Sequence, residues 1–171
     1  MSIFCQKIAQ GALIAVSIFA AVPFTWATSF TINSGETVTT TQTLDVDGDT
    51  GLIESGGFLD LTAGTSKAIV IDSDITTSVS ITNNGTITSQ RDAIDDGGTN
   101  TGVIVTIINN GTITTVGETG AADAVDIGGA NAPTLILTNN GTILTTGIVG
   151  AEAVLASGEN NTIINNGTID T

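Results

Sequence analysis

Asn83-Asn84-Gly85-Thr86-Ile87 decides the fold, because the same five residues return as Asn109-Asn110-Gly111-Thr112-Ile113, Asn139-Asn140-Gly141-Thr142-Ile143 and Asn165-Asn166-Gly167-Thr168-Ile169. The four glycines are 26, 30 and 26 residues apart. A looser element precedes each copy: Lys67-Ala68-Ile69, Asp92-Ala93-Ile94, Asp123-Ala124-Val125 and Glu152-Ala153-Val154. From its alanine to the next repeat glycine is 17, 18, 17 and 14 residues. Length therefore varies between fixed elements, which is how stacked coils accept insertions.

Aligned on the glycine, positions two, four and six residues upstream read Asn83, Ile81, Val79; then Asn109, Ile107, Val105; then Asn139, Leu137, Leu135. The fourth copy gives Asn165 and Ile163, with Asn161 breaking the apolar column. A period of two marks a strand with one buried face. Ile87, Ile113, Ile143 and Ile169 begin a second strand beyond the bend, and the Ala-Ile element supplies a third. Such a unit cannot bury its own apolar face alone. Stacked as coils of a parallel β-helix, the columns bury one another and each strand pairs with its equivalents above and below. The rival architecture is antiparallel, because Asn-Gly between apolar runs is also a hairpin signal. The upstream flanks resemble each other more than they resemble their own downstream flanks, which favours stacking. The expected class is all-β, a parallel β-solenoid.

The two asparagines have different expected roles. Asn84, Asn110, Asn140 and Asn166 sit with their glycines at the corner, where positive φ is the expected conformation. Asn83, Asn109, Asn139 and Asn165 are in phase with the buried residues. A buried amide needs partners, and equivalent amides about 4.8 Å apart can bond one to the next as a ladder.

Composition excludes much else. The chain has 171 residues, a net charge of -14 and no histidine. The acid excess repels phosphate backbones and anionic headgroups, so no nucleic-acid partner is expected. Without histidine, Ser-His-Asp and Cys-His catalysis and the commonest metal ligand are gone. The acid is expected to keep the exposed strand faces soluble and to discourage edge-to-edge pairing.

Residues 1–27 read as a cleaved signal peptide: Lys7 supplies a positive start, Ile8 to Val22 an apolar run, and Ala27 the cleavage position. The run is shorter than the roughly 20 residues of a spanning helix. Cleavage removes Cys5, the single cysteine, so no disulfide is expected in the mature chain. Residues 28–65 then form an N-terminal cap and first coil region, and 66–171 four repeats whose end is truncated or uncapped.

These repeats, and the stretch Ser34 to Leu44 followed by Glu54-Ser55-Gly56-Gly57, resemble those of autotransporter passenger domains, the type V secreted proteins of Gram-negative bacteria. The resemblance implies a right-handed parallel β-helix displayed at the cell surface, often for adhesion to a host or neighbouring cell. It also implies export by the general secretion machinery and passage through an outer-membrane β-barrel translocator that is absent from this chain.

Two sites merit attention. Asp45, Asp47 and Asp49 alternate on a turn and are weak calcium candidates, although the glycine and closing glutamate of a calcium loop are out of place. An acidic turn is the expected reading, with no metal and no cofactor. Asp92, Asp95, Asp96, Asp123 and Asp126 flank the Ala elements and would stack on neighbouring coils, where repulsion is relieved by cations or by solvent; a solvated surface is expected. Asp95 with Asp126 is also the first carboxylate pair to consider if the chain is a fragment of a β-helix polysaccharide-degrading enzyme. The mature chain retains only Phe30, Phe58, Lys67 and Arg91 to grip a sugar. An exported structural or adhesive solenoid, not an enzyme, is the leading expectation.

Overall fold

The computed structural model describes residues 29–97, 101–117, 122–147 and 150–171. The signal segment 1–27 lies outside them. The first coil runs through β1 (Phe30–Ile32), β2 (Thr37–Val38) and β3 (Gln42–Leu44), and the second through β4 (Thr50–Ile53), β5 (Phe58–Leu61) and β6 (Ile69–Ile71). The third holds β7 (Ser78–Asn83), β8 (Thr86–Ser89) and β9 (Ile94–Asp95); the fourth β10 (Ile104–Asn109), β11 (Thr112–Thr115) and β12 (Val125–Ile127). The fifth holds β13 (Thr134–Asn139), β14 (Thr142–Thr145) and β15 (Val154–Ala156), and β16 (Thr162–Asn165) and β17 (Thr168–Asp170) follow.

Strands equivalent in successive coils pair in parallel, giving three sheets ordered β1-β4-β7-β10-β13-β16, β2-β5-β8-β11-β14-β17 and β3-β6-β9-β12-β15. The chain is a parallel β-solenoid, and no repeat folds as an antiparallel hairpin at its Asn-Gly bend. Register follows the repeat alignment residue for residue: Ile81 pairs with Ile107, Ile107 with Leu137, and Ile87 with Ile113 and then Ile143. In the third to fifth coils these residues are at most 1% exposed. Burying each contributes roughly 1.5–3 kcal/mol. Alanine fills the third wall: Ala68, Ala93 and Ala124 are fully buried, each just ahead of its strand of the third sheet.

The core begins at β1. Phe30 pairs with Gly51, and a Cβ on that glycine would lie 2.5 Å from the Phe30 ring. The aromatic ring occupies space that a second side chain would need. At β16 the break in the apolar column is a staple. Asn161 Oδ1 accepts the Leu135 N–H (2.8 Å), while its Nδ2 donates to the Gly158 carbonyl (2.7 Å).

One expectation is corrected. The acid excess does not coat the strand faces: the six strands of the first sheet carry no charged residue, and the second sheet carries only Asp60 and Asp170. Outward positions there are mostly Thr, Ser and Ile, with Phe58, Ile104, Ile108, Ile136 and Ile164 exposed. Acid collects on the third sheet and in the turns, where backbone N–H groups and one lysine can meet it.

Candidate functional site

The Asn-Gly bends join the first and second sheets. Asn83, Asn109 and Asn139 are fully buried and form the expected ladder. Asn83 Nδ2 donates to Asn109 Oδ1 at 2.8 Å, Asn109 to Asn139 at 2.7 Å and Asn139 to Asn165 at 2.8 Å. Each second N–H reaches a backbone carbonyl of the next coil, just past its bend: Thr112 at 3.0 Å, Thr142 at 3.1 Å and Thr168 at 2.9 Å. The oxygens of Asn83, Asn139 and Asn165 also accept the N–H of the repeat glycine two residues later, at 3.1, 3.3 and 3.2 Å. That bond fixes which end of the amide is oxygen, and with it the ladder's direction. Outside the bend, Asn110 donates to Asn84, Asn140 to Asn110 and Asn166 to Asn140, at 2.8, 2.8 and 2.9 Å. The inner ladder donates toward the C-terminal coil and the outer ladder toward the N-terminal one, so their amide dipoles oppose each other.

The corner glycines have a different reason from the one expected. Among the described residues, positive φ occurs at Gly35, Gly48, Gly56, Gly97, Gly102, Gly129, Gly150 and Asn160. None of Asn84, Gly85, Asn110, Gly111, Asn140, Gly141, Asn166 and Gly167 is among them. What excludes a side chain is the coil beneath. A Cβ on Gly111 would lie 2.0 Å from the Gly85 carbonyl oxygen, one on Gly141 2.0 Å from that of Gly111, and one on Gly167 2.1 Å from that of Gly141. Backbone contact between coils, not backbone conformation, selects glycine.

A second polar row escaped the sequence reading. Ser89, Thr115 and Thr145 lie four residues after the repeat glycines, point inward and are at most 1% exposed. Thr115 Oγ1 lies 2.8 Å from Thr145 Oγ1 and 2.6 Å from the Ala122 carbonyl. The signal was available as a hydroxyl residue recurring in phase with the buried isoleucines.

The calcium-candidate turn is braced by its own carboxylates. Asp49 Oδ2 accepts the N–H groups of Asp45 (2.9 Å) and Val46 (3.0 Å). Asp47 crosses to the next coil, accepting Thr76 N–H (2.7 Å), Thr77 N–H (2.9 Å) and the Thr76 hydroxyl (2.6 Å). Those bonds, the Thr76 hydroxyl foremost, hold the Asp47 carboxyl below the usual range.

The acidic positions beside the Ala elements are not solvated surface. Asp92, Asp95, Asp96 and Asp123 are 5% exposed or less. Stacking brings Asp95 of β9 onto Asp126 of β12. Among the described residues, Asp92, Asp95 and Asp126 are the set whose carboxylate oxygens lie within 4.8 Å of one another, close enough to share a cation. The cation beside them is the Lys67 ammonium, which bonds Asp95 and lies 3.3 Å from Asp92. Burial works against the charged lysine, but the bond and charge of Asp95, and then Asp92, outweigh it and raise its pKa. Backbone donors serve the rest: Asp92 Oδ1 accepts Asp123 N–H at 3.1 Å, and Asp123 Oδ1 accepts Glu152 N–H at 2.6 Å. Burial first, then the neighbouring carboxylates, pushes Asp126 up to about 7, and burial also raises Asp123.

Shallow pockets of about 220 Å³ beside Thr39 and Asp60 and about 340 Å³ beside Asn131 and Glu159 are built from other residues. No protein-family model matches the chain, and neither a curated protein nor a solved structure matches it.

Proposed function

We propose that this chain is an exported β-solenoid, a passenger segment of autotransporter type with a structural or adhesive role at the surface of a Gram-negative cell. The observation that carries the reading is repetition of the outer surface from coil to coil. Thr86, Thr112, Thr142 and Thr168 pair in one row of the second sheet, and Asn84, Asn110, Asn140 and Asn166 bond in another along the bend. A stalk or a multivalent contact surface needs such rows, whereas an enzyme needs one singular place. The nearest to a singular place is the acidic cluster, and there Asp95 is 4% exposed with both carboxylate oxygens already bonded. The exporting partners would be the general secretion machinery and an outer-membrane β-barrel translocator.

The test is to express the chain in a Gram-negative host, alone and fused ahead of a translocator barrel. The expected results are a periplasmic product beginning at Thr28, and display of the fusion that external protease removes from intact cells. A product retained in the cytoplasm with Met1 intact overturns the proposal.

A further inference from the structure

We infer that Asp126 is a protonation latch on the third sheet: its neutral carboxyl closes the junction between β9 and β12, and its anion loosens it. The argument begins with how the carboxylates around it are satisfied. Asp95 has Lys67 on one oxygen and the Gly97 N–H on the other, at 2.9 Å. Asp92 has Lys67 on one and the Asp123 N–H on the other. Asp126 stacks directly on Asp95, yet no described residue donates a hydrogen bond or forms an ion pair to its side chain.

The carboxylates facing it are unfavourable to an anion, and the side chain itself is half-buried. Asp92, Asp95 and Asp96 come from β9 and its flanks, and Asp123 from its own segment. The next coil offers Leu155 as register partner, with Glu152 just ahead of β15. Lys67 is the nearby cation and bonds the far carboxylates, Asp92 and Asp95. A water-derived proton on Asp126 changes this. It removes one charge from the stack and converts an oxygen within 4.8 Å of Asp92 and Asp95 into a donor toward them. The junction can then draw together from that separation to make a carboxyl-to-carboxylate hydrogen bond between coils; when the proton returns to water, repulsion replaces it.

The sign follows from the raised pKa. The folded chain holds the proton more tightly than the unfolded one, so this contribution is full at acid pH and is lost as pH rises from 3.8 to about 7. Only the third sheet responds, because the first and second sheets carry no charge pair at this level. The device tightens the third wall in mildly acidic surroundings and relaxes it above neutrality.

The experiment follows the Asp126 carboxyl carbon by NMR through a pH titration of the intact chain. Protection of the Asp96 amide, which bonds the Asp126 carbonyl at 3.1 Å, is measured at about pH 5 and about pH 8 after correction for intrinsic exchange. The expected results are titration near neutrality and a loss of Asp96 protection of roughly tenfold at the higher pH, with β11 amides unchanged. In Asp126→Asn, protection should stay high at both. Titration of Asp126 in the ordinary carboxylate range overturns the inference, whether or not the variant folds. So does the same loss of protection persisting in the variant.

Discussion

Two edges of the same coil use one stacking distance with opposite results. At the Asn-Gly bend, an amide carries both donor and acceptor, so identical residues in successive coils satisfy each other and the ladder extends without outside help. At the Ala element, a carboxylate carries only acceptors. Identical residues there repel, and the stack holds through borrowed donors: Lys67, the N–H groups of Gly97, Asp123 and Glu152, and a proton on Asp126. A solenoid can therefore repeat asparagine freely but must vary its surroundings wherever it repeats aspartate. The sequence does so: the column reads Lys67, Asp92, Asp123, Glu152, while the amide column is asparagine in all four copies from Asn83 to Asn165.

The contrast can be broken most severely at the bend. Gly111→Ala places a Cβ 2.0 Å from the Gly85 carbonyl oxygen, where only backbone movement through two coils relieves the clash. Its cost should meet or exceed the upper end of the roughly 1–3 kcal/mol seen for overpacking. Gly102→Ala, at an open positive-φ turn, should cost about 1 kcal/mol; urea denaturation of the pair gives the comparison. Next in size is Asn109→Ala. It strands the Asn83 donor and the Asn139 acceptor in a dry interior and should cost about 2 kcal/mol. Asn110→Ala, one residue away and facing water, should stay within about 0.5 kcal/mol.

Lys67→Met probes the other edge. It leaves Asp92 and Asp95 without their cation, but the lysine side chain is 32% exposed, so the loss should be about 1 kcal/mol, well below the figure for a fully buried pair. Salt should reduce the difference between the two proteins. Smallest is the pH dependence of the whole chain. Asp47 and Glu36, held low by bonds from Thr76 and Asn33, contribute stability above their ordinary values of 3.8 and 4.5 and lose it as pH falls through their folded pKa. Asp126 acts in the opposite sense up to about 7. The melting temperature should therefore peak at about pH 4 to 4.5, where the two trends cross, and decline from there to about pH 7.

The solenoid was legible because the repeat states its register outright: aligning four glycines aligns the buried columns, and a shift of one residue would turn Ile81, Ile107 and Leu137 to solvent. The inner amide ladder followed from the same phase. The role of the corner glycines did not, since Asn-Gly signals positive φ and close backbone approach equally, and only the coil beneath decides between them. The acidic edge was legible as a stack but not as a buried one. Asp92, Asp95, Asp96 and Asp123 are buried, and no period in the sequence encodes that. Lys67, the first member of that column, is the cation beside Asp92 and Asp95.

The claim that coils are locked by the inner asparagine ladder is tested most directly by a double-mutant cycle on Asn109 and Asn139, with Asn110 and Asn140 as the outer control. The account predicts that Asn109→Ala and Asn139→Ala together cost about 1 kcal/mol less than the sum of the single changes, because each single variant strands a partner that the double removes, while the outer pair adds simply. Additivity of the inner pair to within about 0.5 kcal/mol would contradict it.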